Sequence, residues 1–172
     1  SNNIFSSLFV LLCFLFVING ANLIDGFNGL LTINLIIINS ILAYVNLADG
    51  INEFSVVIIG QIIILFSFLL FNFPSAKIFL GDSGSYLLGS LVALNVIITN
   101  NLNPDYSSFF FCTLLFYLFF EVFFSFFRKI IQKKSPIHPD DKHLHMLVFK
   151  KVSFFFGKDK GNYIKKITDS SR

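Results

Sequence analysis

Positive charge is almost missing from most of this sequence: residues 1–127 hold a single lysine, Lys77, and no arginine. Charged residues of either sign make up 13% of the 172 residues, where a soluble domain carries about 25%. Set beside 55% hydrophobic residues, 25 phenylalanines and a mean hydropathy of +0.75, that shortage excludes a disordered chain, a coiled coil and a nucleic-acid-binding module. It argues against a soluble globular domain and leaves a polytopic membrane protein. Cysteine is scarce as well. Cys13 and Cys112 both lie in apolar runs and read as small packing residues that report no redox compartment. The first apolar run lacks a basic leader, so no signal peptide is read there, and the opening Ser1 points to a fragment.

The charges that are present divide the chain in two. Residues 1–127 set six acids against Lys77, a net of −5, whereas residues 128–172 set twelve Lys or Arg against four acids, a net of +8. An acidic apolar body with a basic end reads as membrane spans followed by a cytoplasmic segment facing anionic lipid or phosphate. Five apolar runs supply the spans: 4–18, 30–48, 54–73, 85–99 and 108–127. The second, third and fifth are long enough for a helix across about 30 Å of hydrocarbon. Runs such as Phe109–Phe111 lack the alternation that a membrane barrel needs, so the expected fold is all-α, a helical bundle of about five spans. Arg128, Lys129, Lys133 and Lys134 follow the fifth run and place that end in the cytoplasm. Counting back, the loops at 19–29 and 74–84 share that face with 128–151, while 49–53 and 100–107 face outward.

Three polar segments therefore converge on one side. The first, Asn19-Gly-Ala-Asn22-Leu-Ile-Asp25-Gly-Phe-Asn28-Gly-Leu30, repeats a polar residue every third position. Asn and Asp offer oxygens to a hard cation or a nucleotide, though a plain turn between spans uses the same residues. In the second, Pro74 ends the third span and Gly81-Asp82-Ser83-Gly84-Ser85 opens the fourth. Ser83 or Ser85 could cap that helix, whose amides favour phosphate, and Asp82 could bind Mg2+ or serve only as a cap. No Gly-Lys-Ser/Thr follows, which excludes a Walker loop. The third runs from Glu121, seven residues before Arg128, to His138-Pro-Asp-Asp-Lys-His143-Leu-His145. Glu121 is either a functional intramembrane acid or half of a structural pair with Arg128. The histidines lack the cysteines and spacing of a zinc site. With Lys142, Lys150 and Lys151 nearby, they suit a phosphate cradle or a solvated charge run.

Taken together and in order, these segments resemble the polyprenyl-phosphate N-acetylhexosamine-1-phosphate transferase family. Asn22-Leu-Ile-Asp25-Gly-Phe-Asn28-Gly resembles its Asn-x-x-Asp-Gly-x-Asp/Asn-Gly signature. Phe73-Pro-Ser-Ala-Lys-Ile-Phe79-Leu-Gly81-Asp82-Ser-Gly-Ser resembles its Phe-x-Gly-Asp-x-Gly-Ser signature, and the 138–145 segment resembles its His-x-His loop. Glu121 followed by Arg128 resembles the span entering that loop in the GlcNAc-type members.

The resemblance implies that Asp82 is the main Mg2+ ligand, Mn2+ being the alternative ion, with Asn22 at the metal or diphosphate. It implies that Phe79 stacks on uracil and Asn28 bonds to it, and that Asp25, His143 and His145 line the nucleotide-sugar and phosphate site. The implied reaction moves a sugar-1-phosphate, GlcNAc-1-phosphate first, from a UDP-N-acetylhexosamine to undecaprenyl phosphate, releasing UMP for cell-envelope polysaccharide synthesis. It belongs on the cytoplasmic face of a bacterial inner membrane, with membrane lipid as surroundings, no nucleic acid, and a homodimer left open. The alternatives are a phospho-MurNAc-pentapeptide transferase, an inactive fragment or a transporter. The sequence departs from the family in four ways: Asn28 stands where some members have Asp, the family's earlier acidic pair is absent, so is its Lys-bearing N-terminal region, and no span follows the His loop. Residues 1–156 are expected to be the transferase portion, truncated at both ends, and 157–172 a polar basic tail.

Overall fold

A computed structural model describes residues 2–133 and 147–148, and every element among them is helical. The helices are α1 (Asn2–Ile24), α2 (Leu30–Ala48), α3 (Asn52–Asn72), α4 (Gly81–Leu102), α5 (Ser108–Leu114) and α6 (Phe116–Ile131). α1 to α4 each carry an apolar stretch long enough to cross a membrane, and α5 with α6 makes a fifth span if counted as one. Their outer faces are bare hydrocarbon: Ile63, Ile64, Phe66 and Leu70 of α3 are all exposed, as expected of side chains facing lipid. The chain is thus an integral membrane protein with the helical bundle that the sequence predicts.

Four boundaries differ from the sequence-based expectation. α1 continues through Asn19 and Asn22 to Ile24, which shortens the loop read at 19–29 to residues 25–29. Asn19 stays helical by donating its amide to the Leu15 carbonyl at 2.7 Å. α4 starts at Gly81, so the second loop is 73–80, and the helix outlasts its apolar run to reach Leu102. α6 runs on to Ile131 and takes Arg128 and Lys129 into its last turn. The fifth run, expected as one straight span, is instead broken at Leu115, where α5 and α6 meet at 64°. Leu115 leaves helical geometry (φ −89, ψ 0), and the Thr113 hydroxyl donates to the Phe110 carbonyl at 2.6 Å, serving an acceptor at the break.

Packing places the helices in the order α3, α2, α4, α1, α6, each touching the next. α1 and α2 are consecutive in sequence but barely touch, because α4 lies between them. α1 is gripped where small residues let backbones approach. A Cβ on Gly89 of α4 would lie 2.7 Å from the Ala21 Cβ, and one on Gly20 would run into the Leu118 carbonyl of α6. Amides tie the middle of the bundle. Asn95 of α4 donates to Asn39 of α2 at 3.0 Å and to Gln61 of α3 at 2.7 Å. Further along the same helices, Asn46 donates to Thr99 at 2.9 Å and accepts from Asn103 at 3.0 Å. Where water is absent, such bonds satisfy groups that would otherwise cost free energy. The cysteines do not both act as core residues: Cys112 is exposed on α5, and it lines one cavity between α1 and α4–α5 together with half-buried Cys13.

Candidate active site

The loops 25–29 and 73–80 lie side by side at one end of the bundle, held by an asparagine that closes α3. Gly29 donates its backbone amide to Asn72 Oδ1 at 2.6 Å, and Asn72 Nδ2 donates to the Ile78 carbonyl at 2.8 Å. Asn72 is buried, so one amide fixes both loops. Asn28, also buried, adds a bond from Nδ2 to the Pro74 carbonyl at 3.2 Å. Gly29 is needed where it stands. It has φ +79, and a Cβ there would meet Leu69 and Phe73 at 3.0–3.1 Å.

The same end joins the two sequence signatures directly. Asn22, on the last turn of α1, accepts from the buried Ser85 hydroxyl of α4 at 2.7 Å and donates to the Tyr86 hydroxyl at 3.2 Å. Ser85 also lies 3.0 Å from the Asp82 carbonyl one turn earlier. Neither Ser83 nor Ser85 caps α4, and Asp82 is not its cap either. The N-cap position is Leu80, with no side-chain bond, and Asp82 stands in the first turn with its side chain exposed. Asp25, just beyond α1, faces Asp82 electrostatically: burial first, and then the Asp82 carboxylate, push its acid up to about 7. The Asp25 and Asp82 carboxyls, with the Asn22 amide oxygen nearby, form a hard-oxygen donor set. It suits a divalent cation that takes further oxygens from phosphate and water. Among the described residues no three His, Cys, Asp or Glu form a group that could hold a metal ion. Phe79 projects from the second loop at 53% exposure, a ring open to stacking.

Of the sequence-predicted residues, Asn22, Asp25 and Asp82 come together, while Asn28 and Phe79 sit on the adjoining loops. His143 and His145 lie outside the described residues, as does His138. Glu121 is fully buried and accepts from the Tyr117 hydroxyl at 3.3 Å. Ser125 and Lys129, at steps of four residues, are buried on the same helix, and Arg128 lies two turns on from Glu121. Arg128 also lies over the Phe124 ring, 5.6 Å from its centre. Two positions that tie the site together were missed from sequence, Asn72 and Tyr86. Asn72 carried a faint signal, a lone amide at the end of an apolar run just before Phe73-Pro74.

Comparison with known proteins places the chain among relatives by sequence. The profile of glycosyl transferase family 4 matches residues 1–100. Over 147 residues the chain is 34% identical to undecaprenyl-phosphate alpha-N-acetylglucosaminyl 1-phosphate transferase of Thermotoga maritima, covering 84% of this chain and 43% of the relative. It is 45% identical over 82 residues to phospho-N-acetylmuramoyl-pentapeptide-transferase of Leuconostoc mesenteroides, covering 46% of this chain and 25% of the relative. The protein of that name in Streptococcus equi is 41% identical over 92 residues, 49% of this chain and 27% of the relative. The chain thus spans less than half the length of these relatives, and no solved structure matches it. The profile match across residues 1–100, more than half of the chain and containing both joined signatures, means that the chain belongs to glycosyl transferase family 4.

Proposed function

We propose that this chain forms part of the active site of a membrane-embedded phosphoglycosyl transferase. That enzyme moves a sugar-1-phosphate, GlcNAc-1-phosphate first, from a UDP-sugar to undecaprenyl phosphate. The observation that carries this reading is the Ser85–Asn22 hydrogen bond, which locks the two signature segments together beside Asp82. In the reaction a phosphate oxygen of the lipid attacks the phosphorus that bears the sugar. The bond from that phosphorus to the bridging oxygen breaks, UMP leaves with the bridging oxygen, and a lipid diphosphate sugar remains.

Each residue has a task suited to its surroundings. Asp82 and Asn22 would hold Mg2+ or Mn2+, which when bound neutralises charge gathering on the diphosphate. Asp25, whose acid burial and the Asp82 carboxylate raise to about 7 in the cation-free protein, is a candidate to release or take a proton beside the phosphates. Phe79 stacks on uracil from its exposed loop. Asn28 sets the height of that loop through Pro74 as well as facing the base. His143 and His145 lie outside the described residues and are assigned to the phosphate by the resemblance alone. The site faces the cytoplasm of a bacterial cell, because Lys77 and the basic 128–134 stretch fall on its side by parity. The GlcNAc-type donor is favoured over UDP-MurNAc-pentapeptide because the GlcNAc-type relative aligns along 84% of the chain, whereas the pentapeptide transferases align along about half.

The test is UMP release by the full-length protein in detergent or nanodiscs, with undecaprenyl phosphate and either UDP-GlcNAc or UDP-MurNAc-pentapeptide. Turnover with the first, lowered at least about 100-fold by Asp82→Asn, is the expected result. Turnover confined to the second donor moves the assignment to the pentapeptide transferases. No UMP from any UDP-N-acetylhexosamine, alongside solute uptake in proteoliposomes, would replace the enzyme with a transporter.

A further inference from the structure

We propose that Tyr86 is a positioning residue of this site, holding the Asn22 amide so that its oxygen is presented beside Asp82. The inference rests on the reading of Asn22 as a ligand of a divalent cation or its diphosphate. Asp82, Ser85 and Tyr86 occupy positions i, i+3 and i+4 of α4, so all three lie on one flank of that helix, and the hydrogen bonds show that the flank faces the end of α1.

An asparagine amide serves a cation through Oδ1 alone, since the NH2 half presents positive charge. Its usefulness therefore depends on how firmly the amide plane is held. Ser85 cannot hold it alone. Its hydroxyl has one proton and two acceptors, Asn22 Oδ1 at 2.7 Å and the Asp82 carbonyl at 3.0 Å. When that proton turns to the Asp82 carbonyl, nothing on Ser85 keeps the Asn22 oxygen in place. The Tyr86 hydroxyl supplies the second point by accepting from Nδ2 at 3.2 Å. Two bonds on opposite ends of one amide define its plane, whereas one leaves it free to swing.

The two holders differ in exposure. Ser85 is fully buried, whereas Tyr86 is 40% exposed, so the phenol closes the network on its open side. Because the phenol oxygen acts as the acceptor for Asn22, its own proton remains available to a phosphate oxygen arriving from that side. Tyr86 joins α4 to α1 through its hydroxyl.

The experiment measures Mn2+ affinity by electron paramagnetic resonance in the full-length protein, together with UMP release. The variants are Tyr86→Phe, Asn22→Ala and the two combined. Tyr86→Phe keeps the ring and removes only the hydroxyl. It is expected to weaken Mn2+ about five- to tenfold, the range for losing one neutral bond behind a ligand. In the Asn22→Ala background the same change should alter affinity less than about twofold, because the amide it acts through is gone. Tyr86→Phe with wild-type Mn2+ affinity overturns the proposal, and so does an equal loss in both backgrounds, which would make the hydroxyl merely structural. A wild-type protein that releases UMP while Tyr86→Phe binds Mn2+ unchanged refutes this inference alone. A wild type that neither binds Mn2+ nor turns over refutes the proposed function with it.

Discussion

The backbone amide of Gly29 lies 2.6 Å from Asn72 Oδ1, and this single contact binds the loop after α1 to the loop after α3. Asn72→Leu would strand a buried N–H and free the Ile78 carbonyl, at a cost of about 1–3 kcal/mol for the orphaned donor. Thermal unfolding in detergent should show the loss. Turnover of the full-length protein should fall further than stability alone explains, because Asn28 and Phe79 move with the loops. Asn72→Asp keeps the acceptor for Gly29 and should retain part of the stability.

Helix α1 tolerates no extra methyl group at its contact with α4. Gly89→Ala would bring a Cβ to 2.7 Å from the Ala21 Cβ and within 3.3 Å of the Ile18 backbone, so the helices must part. The expected cost is about 1–3 kcal/mol. Adding Ala21→Gly should recover a good share of it, whereas Gly60→Ala, with open space around it, should cost nothing. A melting series over the four proteins measures all of this.

The acid of Asp25 should be visible in its titration. Burial and then the Asp82 charge raise it to about 7, so the folded protein binds that proton more tightly than the unfolded chain does. The stability this contributes is therefore complete below the ordinary carboxylate range and is lost as pH rises from there to about 7. Infrared difference spectra of the cation-free protein should lose the Asp25 carboxylic-acid band near neutral pH. Asp82→Asn should move the loss to lower pH but not restore the ordinary value, since burial is the larger cause. A band that vanishes near pH 4 in the parent protein contradicts the assignment.

At mid-bundle, Asn95 serves two helices at once through one amide nitrogen. Asn95→Leu should cost about 1 kcal/mol, close to measured values for polar contacts within membrane bundles. The double variant with Gln61→Leu should cost less than the sum of the two single changes, because the second no longer strands a partner. Steric trapping or denaturant unfolding in micelles supplies the numbers.

Much of this architecture was legible in the residues. α2 and α3 lie within a few residues of their apolar runs, because uninterrupted Ile, Leu and Phe in lipid leave helix as the means of pairing the backbone. The end of α1 was not legible, since Asn19, Gly20 and Asn22 have the composition of a turn. They stay helical because the neighbours of that turn are other helices: Gly20 packs on Leu118 and Asn22 bonds to α4. The break at Leu115 was hidden for the opposite reason, as residues 113–116 contain neither proline nor glycine. In the site, the pairing of Asn22 with the Asp82 segment could be read from two motifs on one predicted face. Tyr86 and Asn72 could not, because their partners are an amide on another helix and backbone atoms of distant loops.

The helix order also determines when the site can come into being. The link from α1 to α2 passes over α4, and the link from α3 to α4 passes over α2, so the two strands of chain overlap like a weave. A bundle plaited this way cannot be assembled as successive finished hairpins during synthesis. When α1 and α2 have entered the membrane, the place between them is still vacant. Gly29 waits for Asn72, and Asn22 waits for a helix made some sixty residues later. The donor set around Asp82 is thus completed only when α4 takes its place beside α1.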